Sequence, residues 1–236
     1  MIRSWKLRLA SLGLLLCGCL APARGQEETK PFRFETRPAD AHQAERAGAV
    51  AAAIGFAGWP KTSELYLAPA VSRVLFRDPA GVSEEVRACT DVSIGDEPWP
   101  LCTWSWKALG EGRKPSAEDW LDLQIFVAPS GRAAQEHLIG SLVDNQMATE
   151  NLVAVYKTAS RPKNLGHVAV VVLAPKGQET TTSFIRGNLA FRIRGHGTLA
   201  AEVLPLAAKL DESLIARAPL TLEELRTRTR EKPGRK

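Results

Sequence analysis

TTSFIRGNLAFRIR, residues 181–194, sets register, turn type and facing together, and the rest of the chain is read around it. It is a β-hairpin by pattern. Gly187-Asn188 forms a two-residue loop with glycine first, as a type II′ turn requires, and that turn matches the twist of the strands it joins. Closing the hairpin there sets Arg186 opposite Leu189, Phe184 opposite Phe191 and Thr182 opposite Ile193. One face then carries Phe184, Leu189, Phe191 and Ile193. The other carries Ser183, Ile185, Ala190, Arg192 and Arg194, so the first is the core-facing side. The Phe184–Phe191 pair contributes roughly 0.2–1 kcal/mol beyond an alanine pair.

The first residues bear on compartment. Arg3, Lys6 and Arg8 come before an apolar run from Leu9 to Leu20, and Ala21-Pro22-Ala23 offers small residues where a signal peptidase cuts. Residues 1–23 read as a secretory signal peptide cleaved after Ala23, or alternatively after Gly25. The apolar run is shorter than the roughly 20 residues of a spanning helix, and no later stretch is long enough, so no transmembrane span is expected in the mature chain. A competing reading is a lipobox at Leu16-Cys17-Gly18-Cys19 with a lipid anchor on Cys19. Soluble export, periplasmic or secreted, is preferred because Cys17 departs from the small or hydroxyl residue usual there.

Without the leader, 28 basic residues face 26 acidic ones, a net of +2. The end from Glu223 to Lys236 has six basic and three acidic residues, which leaves a nearly neutral body. The high isoelectric point therefore belongs to the two ends and gives no ground for nucleic-acid binding. About 210 residues remain, enough for a substantial core. Residues 24–39 form a lead-in, 40–218 a single domain, and 219–236 a basic tail, helical at its start and more often a disordered end than a partner site.

Within the domain, Asp40 with Gln43 caps a helix from Ala41 to Ile54, stopped by Gly55. Its apolar residues are mostly alanine, so it is expected to lie closely on a sheet. Prolines and glycines interrupt residues 56–88; Ser72–Phe76 reads as a short strand and Ser83-Glu84-Glu85 as a helical turn. Cys89 and Cys102 are the cysteines left after leader removal, and in an exported chain they read as a disulfide, with Gly95, Pro98 and Pro100 folding the loop back. A metal site would want more ligands, and the spacing is not Cys-x-x-Cys. From Leu101 the strand alternates, with Cys102, Trp104 and Trp106 facing one way. Trp99, Trp104 and Trp106 suggest an aromatic platform for sugar or peptide, but core packing is the better account, since Trp104 and Trp106 point with the cysteine. Leu121, Leu123, Ile125 and Val127 mark the next strand, and a helix capped by Ser130 follows up to about Gln146. Asn151–Ala159 is ambiguous and Pro162–Gly166 is a turn. Val168–Ala174, apolar on both faces, reads as a central strand. Val203, Ala207, Leu210 and Leu214 form one stripe of a closing helix, which starts at Pro205.

The order of elements gives an α+β fold, a mainly antiparallel sheet of five to seven strands with helices packed on it and one disulfide. CTW at Cys102–Trp104, the strand-helix unit Leu121–Gln146, FIRGN at Phe184–Asn188 and the amphipathic closing helix together resemble exported bacterial proteins of unknown function. Those include actinobacterial lipoproteins whose domain is similar to the PsbP-type α-β-α sandwich. The resemblance spans Asp40 to Ala216 and implies a non-catalytic envelope domain, with no active-site residues to carry over.

No nucleophile elbow, His-Glu-x-x-His helix, phosphate loop or dinucleotide fingerprint is present. No catalytic residue, metal ligand or cofactor is assigned. His42 and His137 fall in expected helices and His167 precedes a strand. His196 lies in the glycine loop after the hairpin with Arg192 and Arg194 close by, so Arg192, Arg194, His196 and Trp99 are the candidates for a ligand surface. A pair of solvated arginines beside a loop histidine is the plainer reading. Asp91, Asp96 and Glu97 lack the donor spacing of a Ca²⁺ loop. The functional expectation is a non-catalytic binding module that meets an unknown protein or envelope component. The alternative is an envelope hydrolase whose site the sequence does not reveal, expected to show convergent acids or histidines of shifted pKa.

Overall fold

The structure, a computed structural model of the chain, describes residues 32–37, 39–54, 61–71, 75–144, 164–173 and 178–230. Residues 1–31, on which the signal-peptide and lipobox readings fall, and Gly55, Ser72–Val74, Asn151–Ala159, Pro162 and the last six residues lie outside that set.

Among the described residues six strands form one sheet in the order β1-β2-β3-β6-β5-β4, with every neighbouring pair antiparallel. They are β1 Val82–Ile94, β2 Glu97–Leu109, β3 Pro115–Val127, β4 Val168–Leu173, β5 Glu179–Arg186 and β6 Leu189–His196. The β5–β6 hairpin has the expected register, Arg186 on Leu189, Phe184 on Phe191 and Thr182 on Ile193. Gly187 has φ +55° and Asn188 stays at negative φ, the combination of a type II′ turn. The rings of Phe184 and Phe191 lie stacked with centroids 4.4 Å apart.

The side-chain period of two sorts the sheet into two faces. One carries Trp104, Trp106, Leu121, Leu123, Ile125, Phe184, Phe191 and Ile193, all buried. Over it lies α3, Val203–Ile215, entered through a 3₁₀ turn at Gly197–Glu202. Gly195 admits this close approach: a Cβ there would lie 2.7 Å from both the Leu199 carbonyl oxygen and Val203 Cγ2. Pro205 is the third residue of α3, so the helix begins two residues earlier than expected and the proline still sits in the first turn. The stripe Val203, Ala207, Leu210 and Leu214 is buried throughout.

The opposite face is covered only in part by the described residues. α2, Gly131–Val143, lies on the half nearest the hairpin turn, where Phe126, Ile185 and Ala190 are buried and the Phe126 ring stacks on His137 at 4.1 Å. Ser130 caps it, accepting the Ala133 N–H at 3.2 Å. α1, Ala41–Ala53, is capped by Asp40 as expected but packs on α2 and not on the sheet. Its alanines allow the close approach; the neighbour is a helix, to which Arg46 also donates a hydrogen bond at the Val143 carbonyl. The lead-in is fastened to the same helix. Buried Glu136 accepts from the Glu35 N–H, the Thr36 N–H and hydroxyl, and Arg132 Nε.

Three further expectations are corrected. Ser83-Glu84-Glu85 forms no helical turn; it lies in β1, whose pairing on β2 runs the whole length of the hairpin around Gly95-Asp96 and puts Cys89 directly opposite Cys102 in a disulfide. Val168–Leu173 is not central: among the described strands β4 stands last in the order, and Leu173 at its end is 65% exposed. The centre belongs to β3 and β6, whose apolar residues alternate because α2 leaves half of one face open. Residues up to Arg230 are not a loose tail. α4, Leu222–Arg230, opens with a reciprocal Thr221–Glu224 capping box, buries Leu225 and pairs Arg226 with Glu97 at 3.1 Å. The Leu220 N–H donates to the Leu65 carbonyl, so one hydrophobic cluster runs from α1 to α4.

Candidate binding face of the sheet

Where α2 stops, the sheet face it leaves open is polar. In register across the strands stand Thr103, Gln124 and Arg192; then Ser105, Asp122, Arg194 and Thr181; then Lys107 with Trp120 on the next strand. His196 and Glu179 complete that last row. Every one of these side chains is partly exposed, while their neighbours in sequence on the other face are largely buried.

Trp120 is the large aromatic of this face. The His196 ring lies nearly parallel to it, with 9° between planes and 5.9 Å between centroids, and the Arg194 guanidinium carbon is 5.2 Å from the indole centre. Arg194 is itself held by Glu179 at 3.2 Å. Both contacts come from β6. On the other side of Trp120, the cross-strand Lys107 pairs with Glu85 of β1 at 3.0 Å. The His196 Nδ1 faces the Glu118 carbonyl oxygen, which can only accept, so Nδ1 carries a proton and Nε2 is left as an acceptor when the ring is neutral. The start of β3 is braced to the turn after β6 by Asp119, which accepts from the Thr198 N–H at 2.6 Å and the Ser116 hydroxyl at 2.7 Å. These bonds hold the Asp119 carboxyl below its ordinary range, the Thr198 N–H most strongly.

Of the residues expected to form a ligand surface, Arg192, Arg194 and His196 come together here. Trp99 does not: it sits inside β2 opposite Val92, 2% exposed, as part of the core. Cys89 and Cys102 form the disulfide. Trp120 was not legible as a site residue when the strand is started at its first leucine; carrying the alternation one residue back from Leu121 puts Trp120 on the polar face with Asp122 and Gln124. At the border with α2, a crevice the size of about one water molecule lies between His137, Ser141, Gln124 and Arg192. Burial and then nearby Arg37 hold the His137 ring neutral, its pKa lowered to about 4.

A second cluster of ionisable groups gathers at the hairpin turn. The stretch 61–71, extended and without regular structure, crosses over Gly187, where a Cβ would come within 2.5 Å of the Glu64 carbonyl. Asn188 is fully buried. Its Oδ1 accepts the Tyr66 N–H at 2.6 Å and its Nδ2 donates to the Ala128 carbonyl at 2.8 Å. The Gly187 N–H donates to His167 Nδ1 at 3.3 Å, and His167 Nε2 lies 3.8 Å from Glu64. Burial, then Arg186, lowers the His167 pKa; burial, then Glu64, raises that of Tyr66. Arg186, in the same cluster, is paired with Asp211 of α3. Each of these groups is satisfied by another in the cluster, which makes it a brace joining turn, crossing segment and helix.

Among the described residues no group of three or more histidine, cysteine or acidic side chains is placed to hold a metal ion, and no helix is long and apolar enough to cross a membrane. No family model matches the chain, and comparison with curated proteins and with solved structures finds no match.

Proposed function

We propose that this chain is an exported protein of the cell envelope that works as a non-catalytic binding module, and that it meets its partner with the open half of the sheet around Trp120, Arg194 and His196. One observation carries the reading: a partly exposed tryptophan fixed by an arginine and a histidine, on a polar face that α2 leaves open. Rigid aromatic side chains give contact area at low entropic cost, which is why they recur at binding surfaces. The leader-like start and the Cys89–Cys102 disulfide support an oxidising compartment. The test is capture of a cross-linked partner from envelope extract by the chain beginning at Arg24. Saturable capture that is lost in Trp120→Ala and weakened in Arg194→Ala supports the reading; capture indifferent to both substitutions removes it.

An envelope hydrolase is the second reading, supported by the shifted His167 and Tyr66 beside partly exposed Glu64 at the hairpin turn. It requires hydrolysis of an envelope polymer that disappears in Glu64→Gln with the fold retained.

A further inference from the structure

Resting on the binding reading, we infer that the ligand of the open sheet face is an uncharged oligosaccharide stacked on the side of the Trp120 indole that faces β2. His196 and Arg194 both approach the indole from β6, and Lys107 on the β2 side is engaged by Glu85 on the far strand. A pyranose presents a face of C–H bonds, which pack on the electron-rich face of an indole. Its hydroxyls both donate and accept, and the groups beside Trp120 do the same. The Trp120 N–H and the Gln124 carboxamide make no hydrogen bond among the described residues, His196 Nε2 accepts when the ring is neutral and donates when it is charged, and Asp122 accepts from Ser105 with one carboxylate oxygen.

The charge balance of the face disfavours a polyanion. Arg194 is neutralised by Glu179 and Lys107 by Glu85, and Asp122 stands in the same row as Arg194. With Arg192 counted, three cations around this face meet three carboxylates, Glu85, Asp122 and Glu179, so it offers a polyanion little net attraction. From Gln124 to Trp120 the strand rises about 14 Å, which accommodates about three sugar rings.

The experiment is a titration of the chain beginning at Arg24 with chitohexaose and with cellohexaose, followed by ¹⁵N NMR of the indole N–H groups. The Trp120 signal is assigned by its disappearance in Trp120→Phe. A saturable shift of that signal by at least one hexasaccharide, with an affinity insensitive to added NaCl and weakened about tenfold or more in Trp120→Ala, is the expected result. Gln124→Ala weakens it several-fold without moving the other indole signals, which separates a lost contact from a lost fold. Two results overturn the assignment: no shift with either sugar, or a response confined to a charged polymer such as polyglutamate and falling steeply with salt. If neither sugar binds while Trp120→Ala still abolishes capture from envelope extract, the sugar is wrong and the binding face stands. If Trp120→Ala captures normally, both fall.

Discussion

Arg186 and Asp211 meet at two points, Nε to Oδ1 at 2.6 Å and Nη2 to Oδ2 at 2.7 Å, and so tie the hairpin turn to α3. The Asp211 side chain is 3% exposed, and its Oδ2 also accepts the Gly166 N–H at 2.9 Å. Replacing one partner strands the other charge. Asp211→Ala is expected to cost about 3–5 kcal/mol, whereas Arg186→Met combined with Asp211→Leu costs far less. Urea unfolding of the three chains measures this, and equal losses in the single and double variants would contradict it.

Asn188 performs a similar service with a neutral side chain. Asn188→Ala leaves the Tyr66 N–H and the Ala128 carbonyl without their side-chain partner and is expected to destabilise by about 2–4 kcal/mol. Gly187→Ala acts through backbone and space together, because φ is +55° and the Glu64 carbonyl leaves no room for a methyl group. Its denaturation midpoint is expected to fall as well, with amide exchange accelerating first in residues 61–71.

His137 supplies a pH dependence with a definite sign. Its folded pKa is lowered to about 4 by burial, so the unfolded chain takes up a proton first as pH falls below the ordinary value of 6.5. Stability from this group is complete above 6.5 and is lost toward about 4, amounting to roughly 2 kcal/mol by pH 5. His167, lowered in the same direction, adds to the slope. The unfolding free energy of His137→Phe is expected to change less between pH 7 and pH 5 than that of the unsubstituted chain.

The disulfide closes a ring of about 14 residues and is expected to contribute roughly 3 kcal/mol in the loop-entropy account. Reduction, or Cys89→Ser with Cys102→Ser, lowers the unfolding free energy by that amount. Cys102 lies on the α3 side of β2, away from Trp120, so ligand binding by the folded variant is expected to persist.

How much the sequence told can be traced residue by residue. The hairpin register, the Asp40 and Ser130 caps, the disulfide and the α3 stripe were legible because each rests on local geometry, a turn, a cap or a period, that tertiary context leaves alone. β4 was misplaced because an apolar run reports burial on both faces and not position in the sheet. The Ser83–Glu85 error has the same root: two glutamates after a serine carry a helix-start signal, and long-range pairing with β2 outweighs it. Arg192, Arg194 and His196 were found by their nearness in sequence. Trp120 comes from a different strand, one residue outside the apolar pattern, and Trp99 was misassigned because it has the parity of Thr103 and Lys107 on β2 yet lies in a covered part of that face, which alternation does not report. The brace at the turn joins Glu64, His167, Arg186 and Asp211 across distant positions, which one sequence does not connect.

The most direct test of the binding face is a map of backbone amide shifts in the chain beginning at Arg24 as fractionated envelope extract is added. The account predicts that the perturbed amides cluster on Trp120, Asp122, Gln124, Arg192, Arg194 and His196 and vanish from the map in Trp120→Ala. Perturbations gathered instead on Glu64, Tyr66 and His167 at the hairpin turn, unchanged by that substitution, would contradict it and move the functional site to the brace.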